Sequence, residues 1–212
     1  MIPEQPVRLS AAPGVTLDAR VALPPGAVAG VALCHPHPLY GGDMENPVVV
    51  RAAEVVRETG LATLRFDFRG VGASTGTHAD GKGEQDDLMA AVDHLAGVLG
   101  AGARVAVCGY SFGAAVAGRV ALRRPVAGVA LIAPALAMAP LADLADLARF
   151  DGPVLLVAGT ADTYCPVDAL EALGRAIPRA TVRTVAGADH FFFGKLFPLG
   201  ELIAAWAREV TG

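Results

Sequence analysis

The strongest constraint on the fold is an alternation that runs along almost the whole chain. Short apolar runs at residues 15–23, 29–34, 61–66, 104–108, 126–132, 154–158 and 181–185 read as strands. Segments of helical period lie between and after them, at 48–58, 84–99, 112–122, 167–176 and 199–210. Val49, Ala52, Ala53 and Val56 share one face of the first of these, and Leu88, Ala91, Val92, Leu95 and Leu99 one face of the second. Strands that alternate with helices build βαβ units. Such units form a mostly parallel sheet with helices on both faces. Right-handed crossovers then bring the C-terminal ends of the strands to one edge, where ligands bind. No repeat, charge block or linker interrupts the pattern, so residues 1–212 are expected to form one α/β domain.

Composition narrows the class further. Of 212 residues 53% are hydrophobic and 18% charged, enough apolar surface for a core and too much for a disordered chain. The net charge of −4 leaves no basic footprint for a nucleic-acid partner. The longest apolar stretch, 126–141, is broken by Gly128, Pro134 and Pro140, so no membrane span is expected. Cys34, Cys108 and Cys165 are odd in number and form no Cys-x-x-Cys pair, which argues against a disulfide framework or a zinc ribbon. The opening residues, Met1-Ile2-Pro3-Glu4-Gln5-Pro6, carry neither the charged nor the apolar region of a secretory signal, so the expected location is cytoplasmic.

The chemistry centres on Gly109-Tyr110-Ser111-Phe112-Gly113, which follows a strand and opens a helix. A serine on so tight a turn projects into the cleft, and crowding requires glycine two residues to either side. Serine needs a base and an orienting acid to act as a nucleophile at neutral pH. Asp162 follows the strand at 154–158, and His190 follows the strand at 181–185. Nucleophile, acid and base then stand in loops at one sheet edge, in the order Ser, Asp, His. Asp168 and Asp189 are the other candidates for the acid; Asp168 reads better as a helix-start residue, and Asp189 adjoins His190 too closely. An acyl-transfer site also needs two backbone N–H donors for the oxyanion. One is expected from Phe112 and the other from the loop at 35–42. Pro36 and Pro38 have no N–H to give, so His37, Leu39 and Tyr40 remain; Leu39 is the first choice and His37 the second. His35 and His37 lack a third ligand nearby, so neither a metal nor a cofactor is expected. Tyr40, Tyr110, Phe112, Leu136, Met138, Tyr164, Phe191 and Phe192 are the candidate walls of the cleft. The interval 134–153 has room for a short helix at 141–148 but not for a lid.

The chain resembles the α/β-hydrolase superfamily, and within it a branch of compact, lidless bacterial serine hydrolases related to dienelactone hydrolases and to serine esterases and peptidases. The resemblance rests on Cys34-His35-Pro36-His37-Pro38-Leu39-Tyr40-Gly41-Gly42, on Arg65-Phe66-Asp67-Phe68-Arg69-Gly70-Val71-Gly72-Ala73-Ser74 and on Gly81-Lys82-Gly83-Glu84-Gln85-Asp86-Asp87. It rests equally on the serine turn, Asp162 and Asp189-His190. It implies a twisted sheet of about eight strands and a Ser-His-Asp site. Dienelactone hydrolases carry a cysteine nucleophile, whereas this turn carries Ser111. Arg69 is expected to pair with Asp67, Glu84 or Asp87 and to hold its loop rather than a substrate. The activity expected is hydrolysis of a small ester by water, in a monomer or homodimer. A thioesterase, lactonase or peptidase on the same residues is the alternative, as is a ligand-binding protein that has kept the fold without the chemistry.

Overall fold

The computed structural model describes residues 2–138 and 142–211. Its strands are β1 (Gln5–Ala12), β2 (Val15–Ala22), β3 (Ala29–Cys34), β4 (Ala62–Phe66), β5 (Arg104–Tyr110), β6 (Val129–Ile132), β7 (Val154–Gly159) and β8 (Ala180–Val185). They form one sheet in the order β1-β2-β4-β3-β5-β6-β7-β8. β1 and β2 pair antiparallel with each other, and β2 with β4; every other pairing is parallel. Every residue of β3, β4, β6 and β7 is buried, as expected of parallel strands covered on both faces. β8 pairs only with β7 and leaves most of its residues partly or fully exposed.

The helices are α1 (Pro47–Glu58), α2 (Gly83–Leu99), α3 (Phe112–Arg123), α4 (Val167–Ala176) and α5 (Leu196–Thr211). α1 packs against α5 and α2 against α3, so both faces of the sheet carry helices. α1 has Pro47 in its first turn, and Asn46 caps it by accepting a bond from the Val48 N–H. α5 starts at Leu196, three residues earlier than its period suggests, with Pro198 inside the first turn where no N–H is needed. The strand expected over 126–132 shortens to β6.

β1 is not among the strands expected from sequence, although Val7, Leu9 and Ala11 alternate with Arg8 and Ser10. It carries Pro6, Arg8 and Ser10, and only Leu9 is fully buried. As an outer strand it needs one partner, and such a strand tolerates proline and polar side chains.

Between β6 and β7 the described residues include a 3-10 segment at Ala142–Arg149, close to the short helix expected there; Leu141 lies outside the described residues. Leu144 and Leu147 of this segment are fully buried, and Leu144 reaches the surface of α3 at Gly118. The segment covers the sheet's helical layer and does not roof the cleft. Among the described residues no helix is long and apolar enough to cross a membrane.

Candidate active site

Six strands deliver their following loops to the same edge: β3, β4, β5, β6, β7 and β8. The turn after β5 is the most constrained. Ser111 has φ 56° and ψ −112°, a conformation that costs free energy for any residue with a Cβ. A Cβ on Gly109 would stand 2.1 Å from the Gly113 carbonyl oxygen, and one on Gly113 would stand 2.6 Å from that of His35. Both glycines are therefore required by close backbone approach.

The three side chains picked out by the sequence meet here. Ser111 Oγ lies 3.0 Å from His190 Nε2, and His190 Nδ1 lies 2.8 Å from Asp162 Oδ2. All three residues are buried. The other Asp162 oxygen accepts the N–H groups of Tyr164 and Cys165, at 2.8 and 2.9 Å. Three bonds thus fix the carboxylate with one oxygen aimed at the imidazole. Tyr110 donates its hydroxyl to the His190 carbonyl at 2.9 Å and ties the β8 loop to β5. Burial, then the charges of Asp162 and Asp189, push this phenol up, so it stays a donor. Asp189 does not face the ring of its neighbour. Its Oδ1 accepts the N–H groups of Phe191 and Phe193 and shapes the turn.

The comparisons with known proteins agree with this fold. A serine hydrolase homologue of the α/β class from Coxiella burnetii superposes with a TM-score of 0.86 at 33% identity, covering 95% of this chain and 96% of its own. The chain belongs to the α/β-hydrolase superfamily. A Xanthomonas campestris structure, described as an α/β serine hydrolase without a lid, matches at 30% identity and TM-score 0.85, over 97% of this chain and 94% of that one. The family described as serine aminopeptidase, S33, matches residues 47–150. An uncharacterized protein of Rickettsia prowazekii is 33% identical over 184 residues, which is 83% of this chain and 77% of that protein.

In this hydrolase the loop after β3 corrects one expectation. The Leu39 N–H is spent on His37 Nδ1, at 3.2 Å, and the Leu39 side chain faces solvent. The Tyr40 N–H is spent on the His37 carbonyl. Among the described residues the His37 N–H finds no acceptor, and neither does that of Phe112 at the first turn of α3. His37, the second choice from sequence, thus offers the open N–H of this loop. Which donor stays open depends on which others the loop consumes, and that is not legible in residue types.

His35 braces the loop. Its Nδ1 donates to the Pro36 carbonyl at 2.6 Å, and its Nε2 accepts the Phe68 N–H at 3.0 Å. Burial pushes its pKa down to about 4, so the ring is neutral. Both nitrogens are committed, which leaves no lone pair for a metal ion. The His37 ring packs against Tyr40, His78 and Phe112. Arg69 pairs with Asp87, at 2.7 Å from Nη2 to Oδ1, and holds the loop after β4.

A cavity of about 670 Å³ opens over Ser111. Tyr40, Tyr110, Phe112, Met138, Tyr164 and Phe191 line it as expected. Two expected wall residues do not. Leu136 is half-buried and packs against the core, leaving Ala135 and Met138 on the cavity. Phe192 is fully buried, because its backbone at φ 53° turns it inward between the exposed Phe191 and Phe193. Asp80 and Arg119 also line the cavity and were not singled out by sequence. The available signal for Arg119 was its place on α3, eight residues after Ser111 and so on the same face.

Proposed function

We propose that this chain is a serine hydrolase that cleaves small carboxylic esters through an acyl-enzyme on Ser111. The observation that carries the reading is the continuous run of hydrogen bonds from Ser111 Oγ through His190 to the Asp162 carboxylate. His190 Nδ1–H donates to Asp162, which leaves the Nε2 lone pair facing the serine hydroxyl.

Nε2 takes the Ser111 proton as Oγ bonds to the ester carbonyl carbon. The carbonyl π electrons move to its oxygen, which the Phe112 and His37 N–H groups receive. Collapse of this tetrahedral species breaks the bond to the leaving alkoxide, which takes the proton from Nε2 and departs as alcohol. Water then repeats the sequence on the acyl-enzyme: Nε2 takes its proton, hydroxide adds, and Ser111 leaves with the proton restored. Asp162 stabilises the imidazolium at each addition and keeps its charge. Every step uses groups already held in place, and the open, lidless cleft suits small acyl groups.

The test is treatment with a fluorophosphonate probe followed by intact-mass and peptide-mapping spectrometry, with Ser111→Ala as control. One adduct on Ser111, absent in the control, is the expected result, with turnover of short p-nitrophenyl esters alongside it. No adduct on folded protein refutes the reading and leaves a ligand-binding role on the same fold. A thioester or lactone turned over far faster than any ester would move the substrate class and keep the mechanism.

A further inference from the structure

The cavity has a polar end that the proposed reaction does not use. Ala115 and Arg119 follow Ser111 at four-residue intervals on α3, and all three line the cavity. Eight residues of helix rise about 12 Å, and helical side chains lean back toward the N-terminus, so the Arg119 cation stands on the order of 8 Å from the serine. A Cβ on Gly81 would meet Arg119 Nη1 at 3.3 Å and Phe112 Cε2 at 3.6 Å. The guanidinium therefore lies beside the Phe112 ring and the Asp80–Gly81 turn, at the α3 end of the cavity.

The site has two sides. The Tyr164 and Phe191 rings stand 4.8 and 5.6 Å from the His190 ring. The His37 and His78 rings stand 4.8 and 5.6 Å from Phe112, beside the candidate oxyanion donors. A leaving group departs past the imidazole that protonates it. The acyl group then takes the opposite arm, along α3 toward Arg119.

We propose that this arm selects esters whose acyl chain ends in a carboxylate, the half-esters of short dicarboxylic acids, with Arg119 as the residue that binds the carboxylate. The inference rests on the hydrolase reading above. A guanidinium presents a planar fork of donors that matches a carboxylate. Arg119 has interactions of its own within the chain, and five N–H donors let a ligand share it. The opposing charges at this end are the buried Glu84, whose oxygens accept the Ala79 and Gly81 N–H groups and of which one lies 3.0 Å from His78 Nδ1, and Asp80, whose side chain is 94% exposed and lies 3.5 Å from His78 Nε2. Glu84 is committed to those partners and water screens Asp80, so the two weaken the preference without cancelling it. Burial and the neighbouring His78 hold the His37 ring toward its neutral form, so it adds no second cation.

The experiment compares kcat/KM for p-nitrophenyl esters of adipic acid, as the half-ester, and of hexanoic acid, its neutral counterpart of equal length. The wild-type chain is expected to favour the anionic ester, and Arg119→Met to lower the anionic-to-neutral ratio about tenfold. Asp80→Asn is expected to raise that ratio about twofold. Asp80 has φ 50°, a conformation asparagine tolerates, so this variant keeps its turn. Added salt is expected to shrink the wild-type preference. A ratio unmoved by Arg119→Met, with both esters turned over, overturns the inference and leaves the hydrolase reading intact. If no ester turns over and no fluorophosphonate adduct forms, the hydrolase reading fails. Calorimetric titration of the Ser111→Ala chain with monomethyl adipate then decides this inference, since binding weakened about tenfold by adding Arg119→Met supports it and unchanged binding overturns it.

Discussion

Mild acid is predicted to loosen this protein through one imidazole outside the Ser111–His190–Asp162 group. His35 is buried, neutral, and bonded at both nitrogens, one as donor and one as acceptor. Its pKa lies at about 4 in the fold against an ordinary 6.5. Between those values the unfolded chain takes up a proton that the folded chain refuses. The stability that His35 contributes is therefore complete above about pH 6.5 and is lost progressively as pH falls toward 4. Each pK unit is worth about 1.4 kcal/mol, so the whole window amounts to roughly 3 kcal/mol and the step from pH 7 to pH 5 to roughly 2 kcal/mol. The assay is urea unfolding at pH 7, 6 and 5, for the wild-type chain and for His35→Gln. Glutamine is less well fitted but neutral throughout, so the variant starts less stable and loses less on acidification. The difference isolates His35 from other groups. Asp67 and Asp87 are raised by burial, which favours the fold on acidification, and His37, lowered by burial, acts in the same direction as His35. Equal losses in the two proteins between pH 7 and pH 5 would refute the account of His35 as a neutral brace.

Other substitutions probe the frame around the site. Asp87→Asn leaves the Arg69 guanidinium without its counter-charge where both side chains are nearly or fully buried, and is expected to cost about 3 kcal/mol by calorimetric melting. Gly109→Ala drives a methyl group to 2.1 Å from the Gly113 carbonyl, so the turn must open; a cost of about 3 kcal/mol by urea unfolding and loss of fluorophosphonate labelling in the folded fraction are expected. Cys34, Cys108 and Cys165 are all buried, and burial pushes the Cys108 and Cys165 thiols up to about 12. A colorimetric thiol reagent is expected to find no fast-reacting group in native protein and three in denaturant.

The sequence exposes the parts of this structure that depend on residue type and period. The buried strands β3, β4, β6 and β7 read as apolar runs because both of their faces are covered. The meeting of Ser111, Asp162 and His190 is legible because a serine turn, a carboxylate and an imidazole follow β5, β7 and β8, whose loops share one edge. β1 is missing from the strands read by type although Val7, Leu9 and Ala11 alternate with Arg8 and Ser10; its apolar positions are few, and it opens beside Pro6. Residue type favours Leu39 as a donor, but the loop's internal bonds spend that N–H on His37. The inward placement of Leu136 and Phe192 is not legible in residue type, because a backbone turn decides which neighbour faces the cleft. Arg119 and Asp80 went unnoticed because they come from separate segments that meet only in the folded chain.

The order of the strands has a consequence for how this protein fails. Ser111 follows β5, in the middle of the sheet, whereas His190 follows β8, whose strand pairing at the rim is with β7 alone. Rim elements open at lower free energy than central ones. Detachment of β8, with loss of the Tyr110–His190 bond, withdraws the imidazole while the β5 turn and the Asp162 loop stay assembled. Warming should therefore silence the serine before the bulk of the secondary structure is lost, and cooling should restore it without refolding the centre. The loop that carries the imidazole acts as a fuse for the whole molecule.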